Sequence, residues 1–265
     1  MKYISILLSL IFVVNSSFQS HAQTEEVINV EFFEIEEVSS DSVPQSPYRF
    51  KTTDLIAPVA MIGLGVAGLE MKGLKKLNRE VSDVLWNDGR HKKLGFDNAT
   101  QYIPLAGTYL LNLCGVKGLH DYVDLTIIMG TAYLMMAALV YPTKDFVHSR
   151  RPNGEDFNSF PSGHSAWAFT GAEIMRREFW HVSPWIGVAG YLVATGTGLM
   201  RIYNGAHWLT DVLAGAGLGI LCAEAAYWLY PAITKHLFPS RYNKNIFISP
   251  TASYRSFGLA ASFTF

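Results

Sequence analysis

Uncharged stretches rich in apolar residues recur along most of the chain. In order, they cover residues 55–69, 102–116, 125–141, 165–172, 182–200 and 212–223. Their lengths suit helices rather than strands, and the alternation of apolar and polar positions that marks strands dominates none of them. The pattern therefore predicts an all-α fold, a bundle of about six helices.

The same stretches bear on membrane insertion. A bilayer core requires about 20 apolar residues, and the runs at 125–141 and 182–200 come close to that length. The other runs are short or interrupted, and the mean hydropathy is only +0.17. Small residues such as Gly215 and Gly219 favour close packing of helices. We expect a membrane-embedded bundle, with a soluble periplasmic bundle as the alternative.

The first 22 residues are typical of a secretory signal peptide. Lys2 gives a positive start, residues 4–14 are apolar, and Ala22 ends a short segment with small residues. This apolar run is too short for a bilayer core, so cleavage before Gln23 is preferred to an uncleaved membrane helix. We therefore expect an exported protein.

Three further segments follow the signal peptide. Residues 23–50 are predicted to be an acidic arm, because 23–48 hold seven carboxylates and no Lys or Arg. Residues 51–238 would form the bundle. Residues 239–265 are a β-prone tail, for which a strand, an interfacial anchor and a frayed terminus are all open.

One basic loop complicates the topology. Residues 71–93 carry seven Lys or Arg against three acids, and the positive-inside rule would place them in the cytoplasm. If all the early runs span the membrane, the segment after Tyr141 would be cytoplasmic as well. An amphipathic surface helix with Leu74, Leu77, Val81 and Leu85 at helical spacing would relax this argument without removing the conflict.

Composition excludes several classes of function. The 21 basic and 22 acidic side chains give a net charge of −1, so no nucleic-acid partner is expected. Cys114 and Cys222 lie far apart in apolar stretches and resemble buried small hydrophobes. The glycine pattern from Gly63 to Gly68 lies within an apolar helical run, which favours helix packing over a dinucleotide site. No cofactor and no metal site are predicted.

The candidate chemistry lies between residues 144 and 211. The segment holds three permanent cations, two histidines, one carboxylate and a small hydroxyl-bearing loop. They are Lys144, Arg151, Arg201, His164, His207, Asp211 and the Ser162-Gly163 pair. Cations at the mouths of apolar helices need an anionic partner. With one carboxylate for three cations, the simplest missing partner is a bound phosphate.

Each residue fits one part of a phosphoryl transfer. The cations would hold the non-bridging oxygens, helped by the Gly163 amide and the Ser162 hydroxyl at a helix N-terminus. His207 and Asp211 are four residues apart and would share a helix face, where the carboxylate can fix the imidazole tautomer. His207 would then be the nucleophile and His164 the general acid.

At these residues the sequence resembles the type 2 phosphatidic acid phosphatase superfamily, which also contains vanadium haloperoxidases and bacterial acid phosphatases. Three motifs carry the resemblance, over roughly residues 102–233. They are Lys144 through Arg151-Pro152, then Pro161-Ser162-Gly163-His164, then Arg201 through His207 to Asp211. Met200 departs from the family pattern, in which a serine usually precedes this arginine.

The resemblance implies the same roles for these residues and an all-α fold. It implies a lipid phosphate as substrate, of the phosphatidic acid, phosphatidylglycerophosphate, undecaprenyl pyrophosphate or lipid A phosphate type. From the signal peptide and the apolar runs we expect a protein of the bacterial cell envelope, in the membrane, with its site facing the periplasm. The alternatives are a soluble non-specific acid phosphatase, a vanadium haloperoxidase and a non-catalytic phosphate-binding membrane protein.

Overall fold

The computed structural model describes residues 8–10, 51–86, 91–237, 246–253 and 256–263. Eight α-helices lie in these residues, the first preceded by a 3-10 helix at Thr52–Leu55. They are α1 (Ile56–Glu70), α2 (Lys72–Leu85), α3 (Asp97–Thr100), α4 (Ile103–Leu113), α5 (Tyr122–Val147), α6 (Gly163–Phe179), α7 (Pro184–Tyr203) and α8 (Leu209–Leu237). The all-α bundle is confirmed. The predicted number of helices was too low, because α2 and α3 come from residues without a long apolar run.

Local sequence explains where the long helices begin. The Asp121 carboxylate accepts hydrogen bonds of 2.9 Å from the backbone amides of Val123 and Asp124 and so caps α5. Ser162 caps α6, and Pro184 occupies the first turn of α7, where its missing N–H costs nothing.

Three helical segments among the described residues are long and apolar enough to cross a membrane. They are Thr52–Glu70, Tyr122–Val147 and Leu209–Leu237. The run at 182–200, expected to approach a span, forms α7, which is not one of the three. Glycine and threonine lower its hydropathy, and Gly187, Gly190 and Gly198 are buried against neighbouring helices.

Helices α5, α6 and α8 enclose the main hydrophobic core. Its fully buried members include Leu125 and Ile128 from α5, Ile174 from α6, and Ala223 and Ala226 from α8. This core fixes the three helices relative to one another, and Lys144, Gly163 and Asp211 of the candidate site lie at their ends.

Glycines bring α8 close to its neighbours. A Cβ on Gly215 would lie 2.3 Å from the carbonyl oxygen of Ser162, at the start of α6. A Cβ on Gly65 would lie 2.4 Å from the Cβ of Ala214, and one on Gly68 would lie 2.5 Å from Thr210. The pattern from Gly63 to Gly68 therefore serves helix packing.

Helix α2 is amphipathic and lies against the N-terminal end of α8. The buried Asn78 side chain donates a 2.8 Å hydrogen bond to the Thr210 hydroxyl and accepts one of 3.1 Å from the Thr210 amide. Leu77 and Val84 are exposed on another face of the helix. The basic loop therefore contains an amphipathic helix, the arrangement that would relax the topology argument.

A buried ion network lies in the C-terminal half of α6. Glu173 and Glu224 are 1% and 3% exposed, and Arg177 forms ion pairs with both. Because each charge has a partner, this apolar bundle can hold them at tolerable cost.

The strands lie near the two ends of the chain. β2 (Ile246–Ser253) and β3 (Ser256–Phe263) form an antiparallel hairpin, and β1 (Leu8–Leu10) pairs with the other edge of β3. The predicted signal peptide has only residues 8–10 inside the described ranges and stays a prediction. The predicted acidic arm, 23–50, lies outside the described residues.

Candidate active site

The predicted site residues meet where the ends of several helices converge. Lys144 lies in the last turn of α5, Arg201 lies in the last turn of α7, and Gly163 begins α6. The 148–162 loop contributes Arg151, and the amide of Ser162 donates a 3.0 Å hydrogen bond to the carbonyl of Asp211. The structure therefore brings all three sequence motifs together.

His207 is buried and held at one ring nitrogen. It is 2% exposed, and its Nδ1 lies 2.6 Å from the backbone carbonyl oxygen of Ser159. A carbonyl can only accept, so Nδ1 carries the hydrogen and Nε2 keeps its lone pair. An imidazole in this tautomer is able to attack phosphorus through Nε2.

The carboxylate of Asp211 does not hold His207 in the way that the spacing predicted. Its Oδ2 lies 3.9 Å from Nδ1 of His207, and α8 begins only at Leu209, so His207 is not on that helix. The chain turns through Gly205, whose φ is +64°, between α7 and α8. A spacing of four residues therefore did not place the two side chains on one helix face.

Asp211 acts on His207 through an intermediary. Its Oδ2 accepts a 2.5 Å hydrogen bond from the Ser159 hydroxyl and a 2.9 Å bond from the Trp208 amide. The first bond fixes the residue whose carbonyl holds His207, and the second caps the start of α8. Ser159 is completely buried, so this chain of contacts is shielded from water.

The three cations are anchored but keep donors for a ligand. Nζ of Lys144 donates a 2.7 Å hydrogen bond to the carbonyl of Asn158. Nε of Arg151 lies 2.7 Å from Oδ1 of Asp156, and Arg201 forms an ion pair with Asp97.

One of these donors lacks an acceptor in the protein. The Nε atom of Arg201 is buried and makes no hydrogen bond within the described part of the chain, whereas Nε of Arg151 faces the Asp156 carboxylate. A buried donor without an acceptor costs about 1–3 kcal/mol. An anion bound at the Arg201 guanidinium would remove that cost.

The start of α6 supplies further donors. The Ser162 hydroxyl accepts hydrogen bonds from the amide of Ser165, at 3.4 Å, and from its hydroxyl, at 2.9 Å. Both acceptor positions of Ser162 are thereby used, which leaves its own proton to donate. A Cβ on Gly163 would lie 3.9 Å from Lys144 and Val140, an ordinary contact. The protein alone therefore does not require glycine at position 163.

His164 lies in the first turn of α6, half-buried. Its Nε2 lies 3.0 Å from the side-chain oxygen of Asn98. Burial, and then the positive charge of Arg201, lower the pKa of His164 to about 4. Burial, and then Lys144, hold the pKa of His207 well below its usual value. Both rings are neutral at pH 7 when no anion is bound.

Comparison with known protein families assigns a family to the part of the chain that holds the three motifs. Residues 121–235 match the family model described as the PAP2 superfamily. These residues belong to that superfamily. All three predicted motifs lie inside the matched region, and the resemblance inferred from them is confirmed.

Curated relatives of the PAP2 region include two phosphatases by name. Lipid A 1-phosphatase of Porphyromonas gingivalis is 38% identical over 154 residues, covering 58% of this chain and 34% of that protein. "Probable lipid phosphate phosphatase 4" of Arabidopsis thaliana is 32% identical over 105 residues, covering 34% of this chain and 31% of that protein. The chain thus spans about a third of the length of these relatives.

A solved structure, that of Aquifex aeolicus LpxE, is also similar. It is 27% identical, with a TM-score of 0.44, and the match covers 57% of this chain and 94% of that one. With three long apolar helical segments, two of which fall in the PAP2 region, this chain is a membrane protein.

Several residues of the site were not predicted from the sequence. Ser159 acts through its backbone carbonyl, which any residue could supply, so no pattern marks it. Asp97 and Asn98 lie before the PAP2 region, and the chain separates Asn98 from His164 by 66 positions. In the sequence, Asp97 is a single acidic residue in a polar segment, and nothing there indicates its buried ion pair with Arg201.

A cavity of about 260 Å³ opens beside the PAP2 motifs, between α2 and the start of α8. Leu69 and Trp208 supply apolar lining, Lys75 and Arg79 supply positive charge, and Asp211 also lines it. This mixture suits the boundary between the headgroup and the acyl chains of a lipid.

Proposed function

We propose that this chain is a metal-independent phosphatase that hydrolyses a phosphate monoester on a lipid through a phosphohistidine intermediate. The observation that carries the proposal is the buried His207, whose Nδ1 is anchored by Ser159 while three cations surround it. A neutral, oriented imidazole next to a phosphate site is suited to nucleophilic attack.

Binding would use donors of the three cations and of the start of α6. Nε–H of Arg201 is buried without an acceptor in the described residues, and the planar guanidinium groups of Arg151 and Arg201 can contact two oxygens at once. Lys144 adds a third charge, and the amides at the start of α6 add the donors of a helix N-terminus. This arrangement stabilises the charge that develops on the transferred phosphoryl group.

In the first step, Nε2 of His207 attacks phosphorus and the bond from phosphorus to the lipid oxygen breaks. His164 gives its proton to that oxygen, and the lipid alcohol leaves. His164 must therefore enter the step protonated. The bound phosphate dianion offsets the cations that lower its pKa, and so raises that pKa from about 4.

In the second step, water attacks the phosphorus of the phosphohistidine. The neutral His164 takes a proton from that water, the bond between phosphorus and Nε2 breaks, and inorganic phosphate leaves. His207 returns to its neutral form. His164 loses the proton again as phosphate leaves, and it takes up a proton when the next substrate binds. The described residues contain no cluster of His, Cys, Asp or Glu able to hold a metal ion, and the three cations supply the charge stabilisation instead.

A lipid substrate is favoured over a soluble one by two observations. Three helical segments can span the membrane, and the site lies at the ends of two of them. The relatives are named as phosphatases of lipid A and of lipid phosphates. Phosphatidic acid, phosphatidylglycerophosphate, undecaprenyl pyrophosphate and lipid A phosphate are the substrates to compare.

The function is tested by phosphate release from these lipids and from soluble phosphomonoesters, with and without detergent. Turnover of a lipid phosphate that survives EDTA supports the proposal. Activity lost on chelation and restored by a divalent ion would replace it with a metallophosphatase. Equal turnover of soluble esters without detergent would favour a non-specific acid phosphatase.

The site is also proposed to face the periplasm, the side expected for an exported chain. Because Gly68, near the end of α1, packs on Thr210 beside the site, this orientation requires that Thr52–Glu70 does not carry the chain across the membrane. The test is a Glu155→Cys variant in a Cys114→Ser background, since Glu155 is exposed in the loop that carries Arg151 and Cys222 is buried. Labelling of spheroplasts by a membrane-impermeant maleimide is expected. Labelling only after lysis would place the site in the cytoplasm.

A further inference from the structure

Helix α3 reaches the active site from outside the matched PAP2 region. Its Asp97 is 1% exposed and forms an ion pair with Arg201. The hydroxyl of Thr197, on α7, donates a 2.9 Å hydrogen bond to Thr100. With α3 fixed in this way, the Asn98 side-chain oxygen stands 3.0 Å from Nε2 of His164.

We propose that Asn98 is a positioning residue for the proton transfer made by His164. Its side-chain oxygen holds Nε2–H, which leaves Nδ1 as the ring nitrogen that donates to the leaving oxygen. Within the described residues, Nδ1 of His164 makes no hydrogen bond, so it is available for that contact. The inference rests on the proposed phosphatase function and adds a residue to it.

Each histidine is held by a neutral oxygen acceptor, but the two acceptors contact different ring nitrogens. Ser159 holds Nδ1 of His207 through a carbonyl oxygen, and Asn98 holds Nε2 of His164 through an amide oxygen. Neither oxygen titrates or carries a formal charge. Each therefore fixes one tautomer and one ring orientation without adding a negative charge to the phosphate site.

The neutrality of Asn98 matters for the strength of the acid. The charged groups that face His164 are Arg201 from α7, Arg151 from the 148–162 loop, Lys144 from α5 and Asp97 from α3. The Asp97 charge is already paired with Arg201. With an amide as its partner, protonated His164 has no carboxylate of its own, and it gives up its proton readily. A carboxylate at position 98 would stabilise the imidazolium and weaken the acid.

The test compares leaving groups in the full-length protein purified in detergent. A lipid phosphate leaves as an alkoxide and needs a proton, whereas p-nitrophenyl phosphate leaves as a stable phenolate. For Asn98→Ala we expect kcat on the lipid to fall about 10- to 100-fold, because a misplaced acid loses part of its contribution. On p-nitrophenyl phosphate we expect a loss of less than about three-fold, with KM for both nearly unchanged.

Two further variants separate positioning from a structural role. Asn98→Asp keeps an oxygen acceptor, so kcat should exceed that of Asn98→Ala. The new carboxylate should also raise the pKa of His164. Because His164 works as an acid only when protonated, the alkaline limb of the pH profile should move to higher pH. Asn112→Ala removes hydrogen bonds to Thr108 and Gly118 at α4 and serves as the matched control, with lower thermal stability but no dependence on the leaving group.

The outcomes are distinct. Equal losses on both esters, or an alkaline limb that Asn98→Asp leaves in place, would overturn the role of Asn98. If Asn98→Ala does not fold, the near-isosteric Asn98→Asp still decides through its pH profile. A wild-type protein that releases phosphate from no ester would refute the proposed function rather than this inference.

Discussion

Nδ1 of His207 lies 2.6 Å from the backbone carbonyl of Ser159. The orientation of the proposed nucleophile is thus set by the main chain, and the Asp211 carboxylate, 3.9 Å from the same nitrogen, supports it through the Ser159 hydroxyl. Substitutions at His207 and at the groups around it should therefore have separable effects.

Replacing His207 should abolish turnover and leave the protein folded. His207→Ala removes the attacking nitrogen and one buried hydrogen bond, and the lost bond costs about 1 kcal/mol of stability. Labelled substrate should give an acid-labile phosphohistidine in the wild type and none in the variant, while the melting temperature falls only modestly. Undiminished activity of His207→Ala would exclude this residue as the nucleophile.

The arginines should not be replaceable by lysine. Arg151→Lys keeps the charge but loses the planar fork and the Nε–H that faces Asp156. We expect kcat/KM to fall about ten-fold or more, the equivalent of one charge-assisted hydrogen bond. Steady-state kinetics over a full range of substrate concentrations checks this, and a variant equal to wild type would rule out two-oxygen contact by Arg151.

One glycine remote from the substrate should prove essential. In Gly215→Ala the new Cβ would lie 2.3 Å from the Ser162 carbonyl, so the loop that carries the phosphate donors must shift. We expect a loss of both activity and thermal stability, by about 1–3 kcal/mol for the latter. Gly196→Ala is the matched control, since nothing lies within 4 Å of its Cβ. Equal behaviour of the two variants would contradict the packing argument.

Anion binding should take up a proton at His164. The pKa of this residue is about 4 without a ligand, and a bound dianion raises it, so binding should weaken as pH rises between the free and bound pKa values. The change can reach about ten-fold per pH unit. The measurement is the inhibition constant of sulfate as a function of pH. Sulfate stays a dianion across this range, so the change reports protonation of the protein. His164→Gln should flatten it, and a pH-independent constant in the wild type would refute the linkage.

The cavity beside Asp211 should contribute to lipid binding. Lys75→Gln combined with Arg79→Gln removes the two charges that line it, so KM for a lipid phosphate in mixed vesicles should rise about ten-fold. The effect on p-nitrophenyl phosphate should be smaller. Lys72→Gln with Lys76→Gln removes equal charge from the same helix outside the cavity lining. If this control raises KM as much, the effect belongs to the membrane surface and not to the cavity.

The sequence predicted the parts of the site that depend on side-chain type at fixed spacing. The cations, Ser162, Gly163 and both histidines meet as their motifs indicated. It could not predict contacts made by a backbone carbonyl, as at Ser159, or contacts between distant segments, as between Asn98 and His164. The relation between His207 and Asp211 was misjudged because a four-residue spacing implies a shared face only inside a helix.

The packing of α2 on Thr210 places the basic helix and the candidate site at the same end of α8. Asn78 ties the basic helix to the same end of α8 that carries Asp211, so both meet the same face of the membrane. α8 has 29 residues and is about 44 Å long, longer than a hydrocarbon core of about 30 Å, and its catalytic end can stand at headgroup depth. Such an enzyme would dephosphorylate the lipids of a single leaflet. Lipids of the opposite leaflet would become substrates only as fast as they cross the bilayer.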